Sequence, residues 1–179
     1  MTKIYIDGKS GTTGLRIYER LETRKDIEIL TISEEKRKDS DARKEMLNAA
    51  DIVFLCLPDD AAREAVSMIT DPDVVVIDTS TAHRTEPEWI YGFPEVSDDI
   101  AAKLKKAKRI AVPGCHASGF IALVKPLIDN GYLSENAELC CFSITGYSGG
   151  GKKMIAQYEA PDRDILLDAP RQYGLTQNH

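Results

Sequence analysis

The sequence has no Cys-x-x-Cys pair, although it holds four cysteines: Cys56, Cys115, Cys140 and Cys141. That absence excludes a zinc ribbon, and nothing in the spacing reads as a disulfide framework. No metal site is expected. Long runs of Lys and Arg are also missing, and the formal charge is −6, which argues against nucleic acid as the main partner. An anionic small-molecule substrate must therefore be met by locally placed cations. No apolar stretch is long enough to span a bilayer, and the N-terminus lacks a signal-peptide pattern. No membrane partner is expected, and the cytoplasm is the expected compartment. Internal repeats and low-complexity segments are absent as well.

What is present suits a folded α/β protein. The 179 residues are 42% apolar, enough for one large domain or two small ones. Residues 3–7 read as a first strand, 12–21 as a helix and 27–32 as a second strand. The charged stretch 33–44 reads mostly as solvated surface. Residues 51–57 form a continuous apolar run, as in a strand buried on both faces, so Cys56 within it reads as a small core hydrophobe. A helix over 59–69 and strands over 74–78 and 109–112 follow. Strands alternating with helices predict βαβ units and a parallel sheet. Pro113-Gly114 breaks the pattern and marks the division of domains, 1–113 and 114–179. Beyond it Phe120, Val124, Leu127 and Ile128 share one helical face, Asn130-Gly131 ends that helix, and 138–146 reads as a strand.

The segment Asp7-Gly8-Lys9-Ser10-Gly11-Thr12-Thr13-Gly14 joins the first strand to the first helix. Its glycines permit a tight turn and close approach of backbone to a pyrophosphate. The helix start behind them offers free N–H groups and partial positive charge. The spacing is G-x-x-G-x-x-G rather than G-x-G-x-x-G, so the strand-loop-helix context carries the reading. No acidic residue ends the second strand. Ser33 and Arg37 stand near that point, suited to a ribose 2′-phosphate and hence to NADP, and they equally suit a solvated charged loop.

Cys115 follows Pro113-Gly114 and precedes a helix, a place where a thiolate is stabilised and a nucleophilic cysteine can work. The other reading is a buried structural cysteine. His116, its neighbour, points elsewhere on the helix and reads as structural or as shaping the pocket. His83 and Arg84 follow the carboxyl end of a buried strand, where open α/β sheets bind ligands, and Arg84 could grip an anion. The second glycine cluster, Thr145-Gly-Tyr-Ser-Gly-Gly-Gly-Lys152, is not a Walker A loop. It could line a phosphate or nicotinamide pocket with backbone N–H groups.

Five segments occur in the order seen in short-form N-acetyl-γ-glutamyl-phosphate reductases, a family this sequence resembles over essentially its whole length. They are Gly8 to Gly14, Ile77-Asp-Thr-Ser-Thr-Ala-His-Arg84, Tyr91-Gly-Phe-Pro-Glu95, Val112-Pro-Gly-Cys-His-Ala-Ser-Gly-Phe120 and Gly146-Tyr-Ser-Gly-Gly-Gly-Lys152. The resemblance implies a Rossmann-type dinucleotide-binding domain followed by the beginning of an α+β catalytic and dimerisation domain. It implies NADPH-dependent reduction of N-acetyl-γ-glutamyl phosphate to the 5-semialdehyde in arginine biosynthesis, by a homodimer or homotetramer. Cys115 would be the acylated nucleophile and His179 the acid/base. Gly8, Ser10, Gly11, Thr12, Thr13, Gly14, Ser33, Arg37, Ser80, Gly149 and Gly150 would hold the cofactor. Arg84, His116 and Ser148 would hold the substrate. Family members are longer and carry an H-x-H-x-P-E stretch, whose first histidine coincides with His179, so the second domain reads as incomplete. Three other readings stay open: an aspartate-semialdehyde type of phosphorylating dehydrogenase, a non-catalytic nucleotide-binding fragment, and an inactive remnant that persists as a dimerisation partner.

Overall fold

The computed structural model describes residues 1–173. Six parallel strands form one sheet: β1 (Thr2–Asp7), β2 (Ile27–Leu30), β3 (Ile52–Leu55), β4 (Val75–Asp78), β5 (Ile90–Tyr91) and β6 (Arg109–Ala111). Their order is β2-β1-β3-β4-β6-β5. All pairs are parallel, with Tyr5 opposite Leu30 on one side and Val53 on the other. The connections run through α1 (Thr12–Leu21), α2 (Ser40–Ala49), α3 (Asp59–Met68) and α4 (Asp98–Leu104). The core gathers Tyr5, Val53, Leu55 and Val76 from the strands, with Leu47, Ala62 and Ala65 from α2 and α3. Alanines on α3 let that helix lie close on the sheet, and β-branched residues fill the pleat.

Strand order reverses at β1, since β2 leaves on one side and β3 returns on the other. A crevice therefore opens beyond the carboxyl ends of β1 and β3, the ligand position of open α/β sheets. The first compact unit runs Met1–Leu133. It includes α5 (Cys115–Asp129), which packs against the short 3-10 turn Pro94–Val96. Gly131, at φ +73°, closes α5, with its N–H on the Ile128 carbonyl (2.9 Å) and that of Tyr132 on Leu127 (2.8 Å).

Residues 134–173 belong to a second unit. It holds a 3-10 turn (Tyr147–Gly150), α6 (Gly151–Glu159) and another 3-10 turn (Ile165–Asp168). The strand expected over 138–146 is absent: no described segment pairs with it, and Phe142 and Ile144 are exposed. Alternation of residue types is only half of a strand; the other half is a ladder partner. The charged stretch 33–44 is mostly exposed, as expected, and only Ala42 and Arg43 are half-buried, where α2 begins inside it. Asp39 caps α2 by accepting the Ala42 N–H at 2.9 Å. Ala42, Met46, Leu47 and Ala50 then form the inward stripe.

Candidate active site

Loops leaving the carboxyl ends of the strands carry most of the residues singled out from the sequence. The turn after β1 closes through the Gly11 N–H on the Gly8 carbonyl, 2.8 Å. Gly8 adopts φ +86°, and a Cβ there would lie 2.2 Å from the Cys56 carbonyl oxygen. A Cβ on Gly14 would lie 2.4 Å from the Gly8 carbonyl. Both positions thus require glycine for the fold itself. Gly11 is the N-cap of α1, and no side chain caps that helix. Thr12 and Thr13 form its exposed first turn. Lys9 folds away, its ammonium 3.2 Å from the centre of the Tyr18 ring.

A cleft of about 810 Å³ opens beside this turn, lined by Gly8, Ser10, Ile32, Arg37, Lys38 and Arg43 among others. Arg37 approaches the Ser10 hydroxyl at 3.5 Å and pairs with Glu34 at 3.3 Å. Ser33 is exposed, does not line the cleft, and accepts the Lys36 N–H through its carbonyl. The tight glycine turn, the uncapped helix start and a cleft at the reversal of strand order fit a dinucleotide.

On the other side of β3, Asp78 ends β4 fully buried. Its carboxylate accepts the Ser80 N–H (2.9 Å) and hydroxyl (2.7 Å), and His83 Nδ1 lies 2.6 Å from Oδ2. The His83 ring stacks on Trp89, with centroids 4.1 Å apart. Ser80, expected at the cofactor, therefore directs its hydroxyl to Asp78. Arg84 donates from Nε to the Val112 carbonyl at 3.0 Å and from Nη2 to the Thr79 carbonyl at 3.4 Å. An Asp-x-Ser run at a strand end is the turn signature that could have revealed this cluster in the sequence.

Val112 leads to Cys115 through Pro113 and Gly114. Gly114 is the N-cap of α5 and carries no side-chain cap; Cys115 is the first helical residue and exposed. His116 is half-buried beside it. Cys56, just beyond β3, is half-buried. Burial pushes its thiol up to about 11, with Asp78 and Asp7 adding to the effect against a hydrogen bond to Thr79. It is a structural thiol.

In the second unit, Ser148 and Gly149 lie on the 3-10 turn and Gly150 caps α6. The Gly149 N–H is bonded to the Gly146 carbonyl at 3.0 Å, and that of Gly151 to Ser148. A Cβ on Gly149 would meet the Thr145 hydroxyl at 2.5 Å, so the glycines also serve the turn itself. His179 lies outside the described residues.

A parallel sheet with a glycine turn at its strand reversal defines a dinucleotide-binding domain. The chain belongs to the semialdehyde dehydrogenase family: it matches that family's NAD-binding domain over residues 3–104 and its dimerisation domain over 115–179. It is 52% identical over 177 residues to N-acetyl-gamma-glutamyl-phosphate reductase of Chelativorans sp., covering 99% of this chain and 56% of that protein. N-acetyl-gamma-glutamyl-phosphate reductase 2 of Nostoc sp. is 49% identical over 158 residues, covering 88% and 49%. The chain thus spans about half the length of the curated relatives it matches. Aspartate semialdehyde dehydrogenase from Francisella tularensis superimposes with a TM-score of 0.61 at 16% identity, over 93% of this chain and 53% of that one. That likeness concerns the fold. Among the described residues no helix is long and apolar enough to cross a membrane.

Proposed function

We propose that this chain provides the cofactor-binding half and the nucleophile of an N-acetyl-γ-glutamyl-phosphate reductase that works in the cytoplasm as a homo-oligomer and uses NADPH. The carrying observation is the exposed Cys115 at the uncapped start of α5, on the same sheet edge as the Gly8–Gly14 turn. The shared name of the relatives supports the substrate.

In this reading the Cys115 thiolate adds to the acyl carbon of N-acetyl-γ-glutamyl phosphate. The C–O bond breaks, phosphate leaves with the electron pair, and a thioester on Sγ remains. The partial positive charge at the N-terminus of α5 favours the charge that develops at Sγ. The Gly8–Gly14 turn and Arg37 would hold NADPH, which would supply the hydride for the acyl carbon. Cys115 then leaves as thiolate and frees the aldehyde. His179 takes the acid/base part implied by the resemblance, and His116 shapes the pocket beside Cys115.

The test is the reverse reaction of the intact protein, NADP reduction by N-acetylglutamate semialdehyde in the presence of phosphate. Cys115→Ser should abolish it with NADPH affinity nearly unchanged, and aspartate semialdehyde should not serve as substrate. Appreciable turnover by Cys115→Ala rules the mechanism out.

A further inference from the structure

We propose that Tyr91 is a substrate-binding residue whose hydroxyl donates to a phosphoryl oxygen of the acyl phosphate. The inference rests on Cys115 being the nucleophile of the proposed reaction. Tyr91 ends β5, the short edge strand, and opens the segment Tyr91-Gly-Phe-Pro-Glu95. Its phenolic oxygen is buried and has no hydrogen-bond partner among the described residues. A hydroxyl buried without a partner costs free energy, and phenylalanine would fill the same space without that cost. Such an orphan is explained when its partner arrives from outside the chain.

The contacts of this segment run along the nucleophile segment. Tyr91 stands opposite Ala111 on β6, and the Gly92 N–H donates to the Ala111 carbonyl at 2.8 Å. A Cβ on Gly92 would lie 3.2 Å from that carbonyl oxygen and 3.7 Å from Pro113 Cδ. The turn Pro94–Val96 then packs on α5, which Cys115 begins. Residues 91–96 therefore follow residues 111–115 from the end of β6 into the helix. The side of the sheet is fixed as well. Ala111 stands between Tyr91 on β5 and Asp78 on β4, and directly opposed residues share a face. The loop after β4 folds over that face, because Ser80 and His83 both meet the Asp78 carboxylate. The phenol thus lies under a strand-end loop, where open α/β sheets take ligands. The same loop brings Arg84, whose positive charge favours an anion there. The phosphoryl group carries most of the acceptor oxygens beside the attacked carbon, and a phenol offers the one O–H donor that such an oxygen needs.

Tyr91→Phe tests this, because it deletes the hydroxyl and keeps the ring. Without ligand its urea midpoint should equal or exceed that of the unchanged protein, since no bond is lost. A lowered midpoint shows that the hydroxyl has a partner in the free protein, and overturns the proposal. In the reverse reaction of the intact protein, KM for inorganic phosphate should rise about tenfold, the scale of one hydrogen bond to a charged group, with kcat within about twofold. An unchanged KM for phosphate overturns the proposal, as does a fall in kcat alone, which would put the hydroxyl on the reacting carbonyl instead. A second readout needs no turnover: peptide-resolved alkylation of Cys115 by iodoacetamide in rising inorganic phosphate, with the exposed Cys140 and Cys141 as internal controls. Phosphate should protect Cys115 in the unchanged protein, and half-protection should need about tenfold more phosphate in Tyr91→Phe. Equal protection in both, or none in the unchanged protein, overturns the proposal. Failure to oxidise N-acetylglutamate semialdehyde would remove the reductase reading alone; the protection result stands apart from it.

Discussion

Arg43 on α2 reaches the Asp7 carboxylate at the tip of β1, with Nη2 at 2.9 Å and Nε at 3.2 Å from the same oxygen. Its remaining nitrogen reaches Glu64 on α3 at 3.2 Å. Arg43 and Asp7 are both mostly buried, while Glu64 is exposed. One guanidinium thus ties β1, α2 and α3 together at the floor of the cleft. Arg43→Met should cost about 3 kcal/mol in urea unfolding, because it strands a buried carboxylate. The double variant Asp7→Asn, Arg43→Met should recover a good part of that loss. Additive costs in the cycle would mean that the two side chains act separately.

The three glycines of the first turn should behave differently. Gly8→Ala combines a positive φ with a 2.2 Å approach to backbone and should impair folding. At Gly11 a Cβ would meet the Gly8 carbonyl at 3.2 Å, a tight contact that a small shift relieves. Gly11→Val should therefore fold and lose NADPH affinity by about tenfold or more, since a branched side chain then stands where the pyrophosphate must approach. Fluorescence titration of folded Gly11→Val with unchanged NADPH affinity would remove this assignment.

The strand-turn-helix at the amino end was legible because each element carries its own signal: apolar residues 4–6, glycines at fixed spacing, then a helix that begins at Thr12 as expected. The start of α5 was legible for the same reason, from Pro113-Gly114. What escaped depends on contacts across the fold. Arg43 sits in a charged stretch that reads as surface until Asp7 and Glu64 are brought beside it. The Ser80 hydroxyl and Arg84 Nε reach Asp78 and Val112, contacts that a strand-end position in the sequence does not reveal. The run 138–146 alternates like a strand, and a strand needs a neighbour.

Stability should fall at alkaline pH in a defined window. Burial pushes the Cys56 thiol up from 9.0 to about 11. Burial, with Asp7 close by and Arg43 opposing, pushes the Tyr5 phenol up from 10.0 to about 12. Between the unfolded and folded values the native state holds a proton that the unfolded chain has released, so stability falls as pH rises. Below pH 9 neither group has an effect. Each shift corresponds to about 1–2 kcal/mol after allowance for partial solvation. Cys56→Ala should flatten the profile between pH 9 and 11, and Tyr5→Phe between pH 10 and 12. A profile left unchanged by both variants would show that other groups govern alkaline unfolding.

Arg37 offers the sharpest test of cofactor preference. It lines the cleft, lies 3.5 Å from the Ser10 hydroxyl, and pairs with Glu34 at 3.3 Å. Both members of that pair are well exposed, so the bridge adds little to folding, and Arg37→Ala should leave stability within about 0.5 kcal/mol. Any change in binding can then be read directly. A guanidinium that meets the ribose 2′-phosphate contributes a charge-assisted hydrogen bond, so Arg37→Ala should weaken NADPH about tenfold and leave NADH within about twofold. Glu34→Gln should act in the opposite sense, because it frees Arg37 and removes a negative charge from the cleft. If Arg37→Ala weakens both cofactors alike, Arg37 holds a part they share, and the preference for the 2′-phosphate falls to Lys38 or Ser10. If neither cofactor responds, the 33–38 loop is a solvated charged loop and plays no part in choosing between them.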